Sequence, residues 1–241
     1  MTTPIVALDV PSIESAMVLI NRLDGRCAFY KVGLELFTAE GPAVVRAVRD
    51  RGADVFLDLK LHDIPNTVAK AVLRACAHGV RLVTVHASGG REMLEAAQQS
   101  AAAAGAGACE LLAVTVLTSL DRRGVAAAWG RSEADVDIDT EVLRLAAVAA
   151  DAGLHGVVCS GREAAAVRER FGLRLKTLVP GVRLAGKDAH DQVRVVTPGE
   201  AVAAGARYVV LGRTVTAAPD PVAAMDRVLA ELRSTTADAG R

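Results

Sequence analysis

Eight short apolar runs, each followed by a segment of helical character, are the strongest constraint that this chain places on its own fold. The runs lie at 4–10, 27–33, 54–60, 81–87, 110–117, 155–160, 175–180 and 207–212. They are rich in Val, Leu and Ile and apolar on both faces, as strands covered on both sides must be. Helix-like stretches, many of them Ala-rich, fall at 12–23, 41–51, 66–78, 90–104, 140–151, 161–171, 197–204 and roughly 219–233. This alternation predicts parallel βαβ units. Eight such units close a (β/α)₈ barrel. The 241 residues match one barrel of about 250.

The expected fold class is therefore α/β, a single-domain (β/α)₈ TIM barrel over residues 1–233, with 234–241 a frayed tail. An open doubly wound sheet is the competing arrangement. It ordinarily carries a Gly-rich turn after its first strand, whereas the first run here ends in LDVPS. The segment 121–139 is long for one connection and predicts an extra short helix.

Composition narrows the function classes. Lys plus Arg and Asp plus Glu both number 28, so the formal net charge is zero, which argues against a general polyanion binder. Aromatic residues make up 3%, too few for a platform that stacks nucleic-acid bases. No apolar run reaches the roughly 18 residues of a transmembrane helix. The N-terminus enters a strand-like run at once, without the features of a signal peptide. Cys27, Cys76, Cys109 and Cys159 are widely spaced and form no CxxC pair, which predicts reduced, mostly buried thiols. These features together predict a soluble cytoplasmic protein.

Charge then appears where an apolar strand should not carry it. The stretch FLDLKLHDIPNT, residues 56–67, places Asp58, Lys60 and Asp63 at the end of the third strand. Strand alternation puts Val55, Leu57, Leu59 and Leu61 on the helix side, and Phe56, Asp58 and Lys60 inside the barrel. Asp9 and Lys31 end the first two strands, so the mouth would hold an alternating Asp–Lys–Asp–Lys set. Barrel active sites lie at these C-terminal strand ends. A solvated strand end explains any one of these charges, but not all of them together. A second signal follows strands seven and eight, where barrels often bind phosphate. Gly212 allows close backbone approach, Arg213 can grip an oxyanion, and the long segment 181–191 suits a mobile lid. His62, His86, His155 and His190 read as structural, and neither a metal-ligand spacing nor a Ser–His–Asp pattern is present.

The stretch DLKLHDIPNT, with ALDV, YKVG, VTVLTS, PGVR, DQ-RVVTP and LGR, resembles the orotidine 5′-phosphate decarboxylase family from Asp9 to about Arg213. The Asp-x-Lys-x-x-Asp core is shared with sugar-phosphate enzymes of the same superfamily, whereas IPNT, LTS and PGVR are more specific. The resemblance implies a cytoplasmic homodimer that decarboxylates orotidine 5′-monophosphate to UMP and CO₂ without metal or organic cofactor. It implies that Asp9 and Lys31 hold the ribose hydroxyls, that Asp58 lies beside the substrate carboxylate, and that Lys60 protonates C6. Asp63, Ile64 and Thr67 would reach the neighbouring subunit's site. Thr118, with Ser119 beside it, would contact the pyrimidine, and Gln192, Gly212, Arg213 and Arg183 would bind phosphate. Two other readings stand beside this one: a Mg²⁺-dependent sugar-phosphate enzyme of the superfamily, and a non-catalytic nucleotide-binding barrel.

Overall fold

The structure, a computed structural model, describes residues 1–105, 107, 109–184 and 195–238. Eight parallel strands close a barrel in sequence order: β1 (Thr3–Ala7), β2 (Phe29–Val32), β3 (Asp54–Leu61), β4 (Leu82–His86), β5 (Glu110–Val114), β6 (Gly156–Val158), β7 (Lys176–Val179) and β8 (Tyr208–Leu211). Each strand pairs with the next, and β8 returns to β1 through registers such as Ile5 with Val210.

The outer ring comprises α1 (Ile13–Arg22), α2 (Leu34–Glu40), α3 (Ala43–Arg49), α4 (Pro65–Ala77), α5 (Gly90–Ala103) and α6 (Arg122–Trp129). It continues with α7 (Ile138–Asp151), α8 (Gly161–Phe171), α9 (Pro198–Ala203), α10 (Arg213–Thr216) and α11 (Pro221–Asp238). Local chemistry sets several starts. Ser12, Asp121 and Asp137 accept backbone N–H groups at the heads of α1, α6 and α7. Ser160 with Glu163, and Thr197 with Glu200, form reciprocal capping boxes on α8 and α9. The extra helix expected within 121–139 is α6, followed by a 3₁₀ turn at Glu133–Asp135.

Two apolar layers hold the barrel. Inside it pack Ile5, Phe29, Phe56, Leu82, Leu112, Leu178 and Tyr208. Between strands and helices packs a larger shell that includes Val55, Leu57, Val83 and Val85. A fully buried aliphatic or aromatic side chain contributes about 1.5–3 kcal/mol relative to its exposed state.

The N-terminal end of the barrel is closed by polar pairs. Lys176 Nζ donates to Glu110 at 2.6 Å, Tyr208 Oη donates to the same carboxylate at 3.3 Å, and Arg81 pairs with Asp54 at 2.5 Å.

One expectation needs correction. Cys76 and Cys109 are joined as a disulfide, with Cα atoms 5.7 Å apart, a spacing within the range a disulfide requires. Cys27 and Cys159 lie outside the disulfide. The last helix runs through Asp238. There Ser234 and Thr235 hydroxyls donate back to the Glu231 carbonyl.

Candidate active site

Three strand ends build one row of charge. Asp9 stands two residues past β1, Lys31 lies on β2, and Asp58 and Lys60 lie on β3. The β2–β3 register sets Lys31 beside Phe56, so the neighbouring side chains enter the barrel at adjoining levels. Lys31 Nζ donates to Asp9 Oδ1 at 2.8 Å and lies 3.9 Å from Asp58 Oδ2. Lys60 Nζ donates to both oxygens of Asp58 at 2.9 Å. The inner pair is sheltered: the side chains of Lys31 and Asp58 are 12% and 14% exposed, against 56% for Asp9 at the rim. Each lysine therefore sits next to carboxylate, and between the sheltered Lys31 and Asp58 side chains water screens little.

The row forms one wall of a cavity of about 270 Å³. Phe56, Val114, Val158, Leu178 and Val210 give it an apolar floor. Thr118 and Ser119 line a second side, and Pro180, Gly181, Arg183 and Gly212 a third. Arg183 is only 7% exposed. Its guanidinium donates to the Val182 carbonyl at 3.1 Å and the Thr214 hydroxyl at 3.3 Å. A buried arginine held this way is a preset cation at the mouth.

The cavity thus gathers Asp9, Lys31, Asp58, Lys60, Thr118, Arg183 and Gly212 from the sequence-derived set. Asp63, Ile64 and Thr67 do not line it. Asp63 and Ile64 lie on the exposed turn from β3 into α4, where Asp63 Oδ1 accepts the Ile64 N–H at 2.7 Å and Ile64 is 67% exposed, and Thr67 is exposed in the first turn of α4. Arg213 opens α10, is exposed, and also lies outside the lining. Gln192 and most of the expected lid lie outside the described residues. Among the described residues, no group of three or more His, Cys, Asp and Glu side chains is placed to hold a metal ion.

Two features escaped the sequence reading. Lys60 has a backbone φ of +51°, and among the described residues it is the one non-glycine in the left-handed region. Thr84, fully buried on β4, donates its hydroxyl to Asp58 Oδ1 at 2.9 Å and accepts the Lys60 N–H at 2.9 Å. The only signal for it was a hydroxyl at an inward position of an otherwise apolar strand. Nearby, His86 stacks on His62 with ring centres 5.2 Å apart, and its Nδ1 lies 2.8 Å from the Ser88 hydroxyl. Burial first, then His62 and Lys60, hold the His86 imidazole below its usual pKa, so it does not add a cation to the array.

A closed barrel with an acid–base row and a buried arginine at its C-terminal mouth has the layout of a barrel enzyme, since that face is where such folds place their chemistry. The particular group is narrower: the chain belongs to the orotidine 5′-phosphate decarboxylase / HUMPS family, whose model matches residues 2–228. It is 50% identical over 232 residues to an orotidine 5′-phosphate decarboxylase of Moorella thermoacetica, covering 95% of this chain and 91% of that one. It is 51% identical over 231 residues to the enzyme of the same name from Halorhodospira halophila, covering 95% and 94%. The crystal structure of orotidine 5′-phosphate decarboxylase from Lactobacillus acidophilus superposes with a TM-score of 0.84 at 34% identity, over 96% of this chain and 99% of that one.

Proposed function

We propose that this chain decarboxylates orotidine 5′-monophosphate to UMP and CO₂, the last step of de novo pyrimidine synthesis. In this reading it acts in the cytoplasm, without metal or organic cofactor, as a homodimer with shared sites. The observation that carries the reading is the continuous row Asp9–Lys31–Asp58–Lys60 at the cavity wall, with successive contacts of 2.8, 3.9 and 2.9 Å.

The chemistry asks for such a row. Loss of CO₂ leaves an electron pair on C6 of the pyrimidine, with no adjacent carbonyl to spread it. A fixed ammonium stabilises that charge as it develops. Lys60, held by both Asp58 oxygens, is that ammonium, and it then gives its proton to C6. Asp58 stands beside the substrate carboxylate, and the repulsion between them falls as CO₂ departs. Asp9 and Lys31 bind the ribose hydroxyls. Thr118 meets the pyrimidine. Arg183, Gly212 and Arg213, with Gln192, bind the phosphate, and that remote binding energy orients the base and drives closure. Asp63, Ile64 and Thr67 complete the site of a second subunit, a role that their exposure outside their own cavity supports.

The test is the ultraviolet absorbance of orotidine 5′-monophosphate mixed with purified protein in buffer containing EDTA. Decay to the UMP spectrum is the expected result. An unchanged spectrum from folded protein would direct attention to Mg²⁺-dependent sugar-phosphate chemistry, which the family description also spans.

A further inference from the structure

The β3–β4 ladder breaks where the chemistry sits. Leu57 pairs with Val83, but the next pairing joins Leu61 to Val85. Between these pairings three residues of β3, Asp58, Leu59 and Lys60, oppose one of β4, Thr84, which is a bulge. Asp58 and Lys60 both lie inside it. The Lys60 N–H donates there to Thr84 Oγ1 at 2.9 Å. The same oxygen carries the proton that is donated to Asp58 Oδ1 at 2.9 Å. These directions are unambiguous, because an amide N–H can only donate and a carboxylate can only accept. One buried hydroxyl thus holds the backbone of Lys60, in its left-handed conformation, and the carboxylate of Asp58. Thr84 does not line the cavity, so it touches the array from beneath.

We propose that Thr84 is the positioning residue of the reaction: its hydroxyl fixes the geometry in which the Asp58 carboxylate and the Lys60 ammonium face the reacting carbon. The inference rests on the decarboxylase reading and adds a residue to it. Strained backbone survives only where its surroundings over-determine it, and the Thr84 hydroxyl is the group bonded to the Lys60 amide. Removing the hydroxyl takes from the Lys60 N–H the acceptor it bonds and leaves Asp58 Oδ1 with the Lys60 ammonium as its donor, so both groups drift from the reacting atoms.

Thr84→Val keeps the shape and removes the hydroxyl. It is expected to lower kcat by about a hundredfold, the scale of a small misplacement of reacting groups. The dissociation constant for UMP should stay within a few-fold of wild type, because the phosphate contacts are untouched. Thr84→Ser should restore kcat to within a few-fold, since it returns the hydroxyl without the methyl. If the valine variant does not fold, Thr84→Cys takes its place, because a thiol is a poor acceptor. A wild-type kcat in the hydroxyl-free variant overturns the proposal. So does a serine variant as impaired as the valine one, which would make the role one of packing. Wild-type protein assayed alongside separates the two ideas: if it is inactive, the decarboxylase reading fails first.

Discussion

A methyl group on Gly33 would lie 2.7 Å from Lys31 Nζ and 3.3 Å from Asp9 Oδ1. The lysine ammonium is the free end of a flexible chain, so it would yield and the barrel would not. Gly33→Ala is therefore expected to leave the melting temperature unchanged and to reduce kcat/KM about tenfold, the value of one charge-assisted hydrogen bond. A lower melting temperature with unchanged kinetics would refute this. Lys60→Ala belongs at the same scale. It removes the proposed proton donor and should reduce turnover by about a thousandfold or more, while UMP still binds. Substantial remaining turnover would remove Lys60 from that role. Most of this row was legible as residues, because a charge on an inward strand position has few explanations. Charge at the other end was harder to read. Asp54, Glu110 and Lys176 begin strands and Arg81 directly precedes one, and they form the pairs Arg81–Asp54 and Lys176–Glu110 as a polar plug rather than as a site. Thr84 was illegible because a single threonine in a strand carries no sign of the bulge opposite it.

The elements show why periodicity predicts strands better than their edges. All eight runs form strands, and alternation along β3 holds, with Phe56 inside and Val55 and Leu57 against the helices. The bulge itself is a long-range event, set by the register of β4, which no local pattern encodes. Helix α2 passed unnoticed for a different reason. It has seven residues, and its N-cap is Gly33, with no side-chain hydrogen bond, so the usual start signal is missing. The end of α11 was obscured by low-propensity Ser and Thr, whose hydroxyls bond back along the helix. At the shortest strand, the constraint is steric. A Cβ on Gly156 would overlap the carbonyl oxygen of Lys176 on β7, and backbone cannot step aside as a side chain can. Gly156→Ala is expected to cost about 1–3 kcal/mol, the range for overpacking, read as a lower midpoint in denaturant. A midpoint equal to that of wild type would show that β6 and β7 can separate without penalty.

At the scale of the whole molecule, acid and assembly act on different ends of the barrel. His155, beside the polar plug, accepts the Leu111 N–H through Nδ1 at 3.2 Å, which a protonated ring cannot do. Burial is the main cause of its lowered pKa. Lys176 adds to that effect, and Glu110 opposes it. Below the ordinary value of 6.5 the unfolded chain takes up a proton that the folded chain refuses, so stability falls as pH drops from 6.5 toward the depressed folded value. The melting temperature should decline on that side of 6.5, and His155→Gln should flatten the decline; an unaltered slope would exonerate His155. The opposite end carries the test of assembly. Asp63 stands outside the cavity that its own chain forms, on an exposed turn, so in the proposed dimer it serves the other subunit. A Lys60→Ala chain and an Asp63→Asn chain would each be nearly inactive alone. In a mixed dimer one site would receive Lys60 from the second chain and Asp63 from the first, and would be intact, while the other site would lack both. Random exchange makes half of the dimers mixed, so activity should return to about a quarter of wild type in a two-fold symmetric pair. Recovery at that level after unfolding and refolding the mixture would establish shared sites. Activity no greater than the sum of the separate variants would mean that each barrel works with its own residues, and that the exposed turn serves some other purpose.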